Sequence, residues 1–137
     1  MDIAAIPFNR FLGLRAEGAA LSLPEDANYL NHLGTVHASA QFALAEAASG
    51  QWLLDRFGTE AANHLAVVRQ VSVKFRRPAT GELTAEAGAA AEVADAFLET
   101  LARRGRATIE VSVRLLDAGR NVTLEAAFEW FAQRLKS

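Results

Sequence analysis

The 137-residue sequence has no cysteine, which excludes a disulfide framework, a thiolate metal site and a cysteine nucleophile together. It has no apolar run long enough to cross a bilayer. It also lacks an excess of charge of one sign, since 14 Lys and Arg stand against 16 Asp and Glu for a formal charge of −2. With the signs mixed along the chain, nothing points to nucleic acid or an anionic membrane, and the expected partner is a small molecule or a protein. Three histidines with no close pairing make neither a metal site nor another cofactor expected. Met1 to Gly13 carries Arg10 after its apolar residues, where a signal peptide would carry its basic region first. A soluble, cytoplasmic protein is the default expectation.

What is present is a chain 51% hydrophobic, enough for one compact core and too short for two ordinary ones, so residues 1–137 are expected to form a single domain. Ile6 to Leu12 suits a short helix with Pro7 in its first turn and Gly13 stopping it. Leu14 to Leu23 suits a strand pair or bent strand turning at Glu17-Gly18, and Asp26 to Gly34 reads as loop. Val36 to Phe57 is rich in Ala, Leu, Gln and Glu and ends before Gly58, so it predicts a long helix. Between Ala38 and Leu54 its only charged residue is Glu46, and a helix without a charged face is expected to be buried nearly all round.

Strand periodicity follows. Val71, Val73 and Phe75 alternate with polar residues, Leu83 to Ala91 continues as a second strand, and Ile109 to Leu115 alternates as a third. Asp117-Ala118-Gly119 turns the chain into a last strand that places Val122, Leu124, Ala126, Phe128 and Trp130 on one face. Val93, Phe97 and Leu101 recur at helical spacing before Gly105 and predict a short helix between the second and third of these strands. The order is an α+β pattern, an antiparallel sheet around one long helix.

Two stretches carry a family resemblance. Asn31-His32-Leu33-Gly34-Thr35-Val36-His37, followed by Glu46 nine positions after the histidine, resembles the Asn-x-x-Gly-x-x-His motif of phenylacetate-type hotdog thioesterases. Phe75-Arg76-Arg77-Pro78-Ala79-Thr80-Gly81-Glu82-Leu83 is similar to the aromatic, Arg, Pro and Gly signature at the corresponding strand. The resemblance implies a hotdog fold, a homodimer or dimer of dimers, and hydrolysis of acyl-CoA, with coenzyme A as part of the substrate. Where the motif usually continues His-Gly-Gly, this chain has His37-Ala38-Ser39.

The implied chemistry needs a base or nucleophile at the thioester carbonyl and donors for the oxygen that becomes negative. Glu46 takes the first role. Amides in the first turn of the helix, at His37, Ala38 and Ser39, suit the second, because N–H groups there have no partner within the helix. Gly34 shapes the approach, while Asn31 steadies the loop and the attacking water. Nine residues of helix span about 13.5 Å, too far for His37 and Glu46 of one chain to hold one carbonyl, so the two halves of a site are expected from two subunits. Arg76 and Arg77 are candidates for the coenzyme A phosphates, although solvated strand faces explain such residues as well. Blander roles are, for Glu46, a carboxylate that pairs with Arg or reaches solvent at a subunit interface, and for His37 a helix-start residue hydrogen-bonded to loop backbone. Two rival functions use the same residues: a non-catalytic acyl-CoA-binding or interaction module, and a hotdog dehydratase pairing His32 with Glu46 but lacking the proline-rich segment those enzymes carry.

Overall fold

The computed structural model describes residues 1–18 and 20–136. Six strands, β1 Arg15–Glu17, β2 Ala20–Leu23, β3 His64–Phe75, β4 Leu83–Gly88, β5 Arg106–Leu116 and β6 Val122–Arg134, form one antiparallel sheet in the order β1-β2-β4-β5-β6-β3. The helices are α1 Pro7–Leu12, α2 Ala38–Phe57 and α3 Ala91–Arg104. The β1–β2 turn starts at Gly18, and Ala19 lies outside the described residues.

Helix α2 packs against β2, β4, β5 and β6. It can lie this close because its contact residues are small: Ala40, Ala43, Ala45, Ala47, Ala48 and Ser49 are all buried, with Leu44 and Leu53 as the larger fillers. From the sheet side, the alternation of β5 and β6 turns Val111, Val113, Leu115, Leu124 and Phe128 onto this helix face. Each such side chain, fully withdrawn from water, contributes roughly 1.5–3 kcal/mol. The ring of Phe42 reaches Phe128, with centroids 5.6 Å apart.

Several boundaries move from those the periodicity predicts. Helix α2 starts at Ala38, because Val36 is held in a bridge to Leu30 and His37 is the N-cap. Strand β3 begins at His64, not Val71; a bulge between Val68 and Gln70 shifts its register and interrupts the alternation that marks the rest. Strand β4 ends at Gly88, and Ala91 is already the first residue of α3. That helix buries Ala94, Phe97 and Leu101, while Val93 faces water. Asp26 to Gly34 contains a 3-10 turn at Ala27–Tyr29. No helix among the described residues is long and apolar enough to cross a membrane.

Strand β3 is the last in the sheet and pairs on one side only, with β6. It runs for twelve residues and leaves Leu65, Val67 and Phe75 about half exposed.

Candidate active site

The loop before α2 is organised by one side chain. Asn31 accepts from the amides of Leu33 and Thr35 at 2.9 and 3.1 Å, and its amide group donates to the Thr35 hydroxyl at 2.9 Å. An Asn folding its own backbone back in this way is the usual physical origin of a tight turn, and Gly34 supplies the left-handed residue it requires, at φ +76°. The loop's exit is fixed by two main-chain bonds, from Val36 N–H to the Ala79 carbonyl at 2.8 Å and from His37 N–H to the Tyr29 carbonyl at 2.7 Å.

His37 then caps the helix: its Nδ1 accepts from the Ser39 amide at 2.9 Å. A neutral imidazole that accepts at Nδ1 carries its proton on Nε2, so the exposed edge of this ring is a donor. The Ser39 amide, one of those the sequence offers to an oxyanion, is occupied by this bond, and the His37 amide is occupied by Tyr29. Among the described residues no acceptor meets the Ala38 amide, which stays available at the positive end of the helix.

Glu46 sits two turns further along the same face of α2. Its carboxyl borders a groove of about 380 Å³ together with Ala38, Ser39, Phe42, Phe8 from α1 and Phe75 from the end of β3. Among the described residues no cation or donor reaches the carboxylate. Burial against these apolar walls pushes the Glu46 pKa above the ordinary glutamate value. Beneath it, the Ser49 hydroxyl donates to the Glu46 carbonyl at 2.7 Å and accepts from the Trp130 indole at 2.9 Å, which locks this turn of the helix to β6.

The structure thus brings Glu46, Ala38 and Ser39 to one groove, with His37 next to Ala38 as the helix N-cap, while Asn31 lies in the preceding loop and does not line the groove. The arginines stand differently. Arg76 is committed to Glu125, with Nε and Nη2 at 2.9 and 2.7 Å from one carboxylate oxygen. Arg77 is exposed and lies near Asp117, whose carboxyl is held below its ordinary pKa first by the Asn121 amide and more weakly by Arg77. Phe8, Phe42 and Phe75 were not singled out as site residues. Phe42 precedes Glu46 by one helical turn and was within reach of helix spacing, whereas Phe8 arrives through a long-range contact with no local signal. Among the described residues no three His, Asp or Glu side chains are grouped to hold a metal ion.

The comparisons with known proteins bear on the family and the fold. Residues 8–131 match the family model described as a domain of unknown function, DUF4442. A Pseudomonas aeruginosa protein of unknown function described as a probable thioesterase is 30% identical and superposes with a TM-score of 0.83 over 96% of this chain and 91% of its own. A thioesterase from Haemophilus influenzae is 15% identical, with a TM-score of 0.70 over 98% and 88% of the two chains. A Bacillus halodurans protein crystallised with CoA is 16% identical, with a TM-score of 0.71 over 93% and 76%. No curated protein matches the chain significantly. The fold common to these structures is the hotdog, a sheet around one long helix.

Proposed function

The chain belongs to the DUF4442 family, within the hotdog thioesterase superfamily, and from that premise we propose that it hydrolyses acyl-CoA thioesters at a site built by two copies of the chain, with Glu46 as the base or nucleophile. The observation that carries this reading is a carboxylate without a partner, its pKa raised by burial, facing a groove with apolar walls. A raised pKa suits a group that must take a proton near neutral pH. In such a groove the carboxylate draws a proton from a water as that water attacks the thioester carbonyl; the tetrahedral oxyanion then collapses, the C–S bond breaks, and the coenzyme A thiolate leaves to be protonated.

Donors for the oxyanion are needed within hydrogen-bond distance. The Ala38 amide and the Nε2–H of His37 supply them from the second copy, because two helix turns separate the ends of the groove within one chain, about 11 Å. The unpaired edge of β3, with Leu65 and Val67 exposed, supports a homodimer, since an apolar edge strand is a template for pairing with another strand. Strand faces beyond it leave room for a dimer of dimers. The Bacillus halodurans relative with CoA supports coenzyme A as the carrier. Arg77, exposed and without a salt bridge among the described residues, is the better candidate of the arginine pair for a phosphate.

The occupied Ser39 amide favours one alternative, an acyl-CoA binder without turnover, because it leaves a single main-chain donor at the helix start. Release of free coenzyme A from a panel of acyl-CoAs, measured for wild type and Glu46→Gln at equal folding and oligomeric state, separates the two. A base at Glu46 predicts turnover that falls about 10²- to 10⁴-fold in the variant. Tight binding with no turnover by wild type would leave the binding module.

A further inference from the structure

Resting on the hydrolase reading above, we propose that an apolar cavity one helical turn beyond Glu46 receives the acyl tail, and that its volume and lining suit an uncharged aliphatic chain of medium length. The face of α2 that carries Ser39, Phe42 and Glu46 continues through Gly50, Leu53, Leu54 and Phe57, since positions four, seven, eight and eleven residues on return to the same side of a helix. Along that continuation lies a cavity of about 250 Å³, walled by Ile3 and Ile6 of the N-terminal segment, Leu53 and Leu54 of α2, Ala66 of β3 and Trp130 of β6. The groove at Glu46 and this cavity therefore follow each other along one stripe of helix, bridged by the N-terminal segment, which gives Phe8 to the first and Ile3 and Ile6 to the second.

Gly50, in the wall of the cavity, lies about 6 Å of helix rise from Glu46. A Cβ at Gly50 would lie 3.3 Å from Trp130 Cζ2, so the indole lies against bare helix backbone. Its bond to the Ser49 hydroxyl holds it there, which makes Trp130 a fixed wall. In this arrangement a thioester carbonyl at Glu46 keeps its pantetheine arm in the Phe8 groove, and its acyl carbons run along the N-terminal segment that borders both spaces.

The lining decides the chemistry of the tail. Among the described residues no Asp, Glu, Lys or Arg side chain lines the cavity. Its one histidine, His64, is already engaged, with Nδ1 against the Glu60 carbonyl at 2.9 Å and its ring stacked on Phe57 at 4.8 Å. An uncharged tail is the fitting occupant. An apolar cavity of about 150 Å³ holds the six carbons of benzene, so one of about 250 Å³ takes roughly eight to ten carbons at the same density.

The test uses the full chain in its native oligomer and two thioethers that cannot be hydrolysed, S-octyl-CoA and S-ethyl-CoA, titrated calorimetrically into wild type, Ala66→Leu and Leu54→Trp. Hydrolysis of acetyl-, octanoyl-, phenylacetyl- and palmitoyl-CoA is followed beside it. Each buried methylene strengthens binding about fourfold, so wild type is expected to prefer the octyl ligand by about 100-fold or more. Each variant should lose at least about tenfold for octyl and less than about twofold for ethyl, because only the tail meets the added atoms. Ala66→Leu carries the test if Leu54→Trp does not fold. Equal affinity of the two thioethers for wild type, equal losses on both in folded variants, or phenylacetyl-CoA preferred over octanoyl-CoA would overturn the cavity assignment. Octyl preference that the variants abolish, without turnover of any thioester, would sustain the cavity and overturn hydrolysis. Turnover with one chain-length profile in all three proteins would overturn the cavity alone.

Discussion

The imidazole of His37 is tied to the first turn of α2 by the 2.9 Å bond from the Ser39 amide to its Nδ1. One ring nitrogen therefore serves stability, the other has no partner among the described residues, and the capping role and the proposed substrate role can be separated. His37→Asn keeps a capping oxygen and should unfold within a few tenths of a kcal/mol of wild type, whereas His37→Ala should lose about 1 kcal/mol. Both should lose hydrolysis by at least about tenfold if Nε2–H stabilises the oxyanion. Chemical denaturation and steady-state kinetics on the same preparations check this; an Asn variant with full activity would remove the imidazole from the site.

Glu46 makes stability depend on pH in a direction that can be stated in advance. Burial raises its pKa in the folded chain, so the folded state holds the proton more tightly than the unfolded one. The resulting stabilisation is complete below the unfolded pKa and is lost as pH rises through the raised folded value. Glu46→Gln should therefore melt above wild type at neutral pH, with the gap closing below the ordinary glutamate range. Thermal scans of the two proteins across pH test it, and kcat/KM of wild type should rise with pH through the same group.

If each site takes Glu46 from one copy and the α2 start from the other, two dead chains can repair each other. A co-refolded equimolar mixture of Glu46→Ala and His37→Ala should recover about a quarter of wild-type activity, because half the dimers are mixed and each of these holds one intact site. Recovery of nothing, in a mixture shown by mass spectrometry to contain mixed dimers, would place both residues in a single chain's site.

Ser49 joins β6 to the turn of α2 that carries Glu46. Ser49→Ala leaves the buried Trp130 indole N–H without the partner it has at 2.9 Å, and an unsatisfied buried donor costs about 1–3 kcal/mol. Urea unfolding should show that loss. The exposed pair Arg76–Glu125 gives the contrast, since Glu125→Ala should change stability by less than about 1 kcal/mol.

The long helix and most of the strands were legible because their patterns are local. A single charge between Ala38 and Leu54 already describes a helix enclosed by protein, and the strict alternation of β5 and β6 names its own buried face. Where β3 departs from alternation, at the bulge between Val68 and Gln70, the first half of the strand was hidden. At the candidate site, Asn31, Gly34, His37 and Glu46 were singled out by the resemblance of their motif, and the position of Glu46 two turns beyond Ser39 on one helix face follows from helix geometry. The occupied Ser39 amide could not be foreseen, because Ala38-Ser39 and Gly-Gly differ in sequence without saying where the imidazole turns. Phe8 reaches the groove through a contact 38 residues away in sequence, from Phe8 to Glu46, and no local pattern encodes that.

Helix α2 touches protein on nearly every side from Ala40 to Leu53. A rod so enclosed has almost no silent positions: an added methyl group strains the sheet and a removed one leaves a void. Genetic drift in this chain is thus channelled away from its centre, toward the outward-facing rows that include Glu110, Ser112 and Arg114. Relatives can diverge far in sequence there while the length and bareness of the central helix persist as the trait by which a descendant is still recognisable.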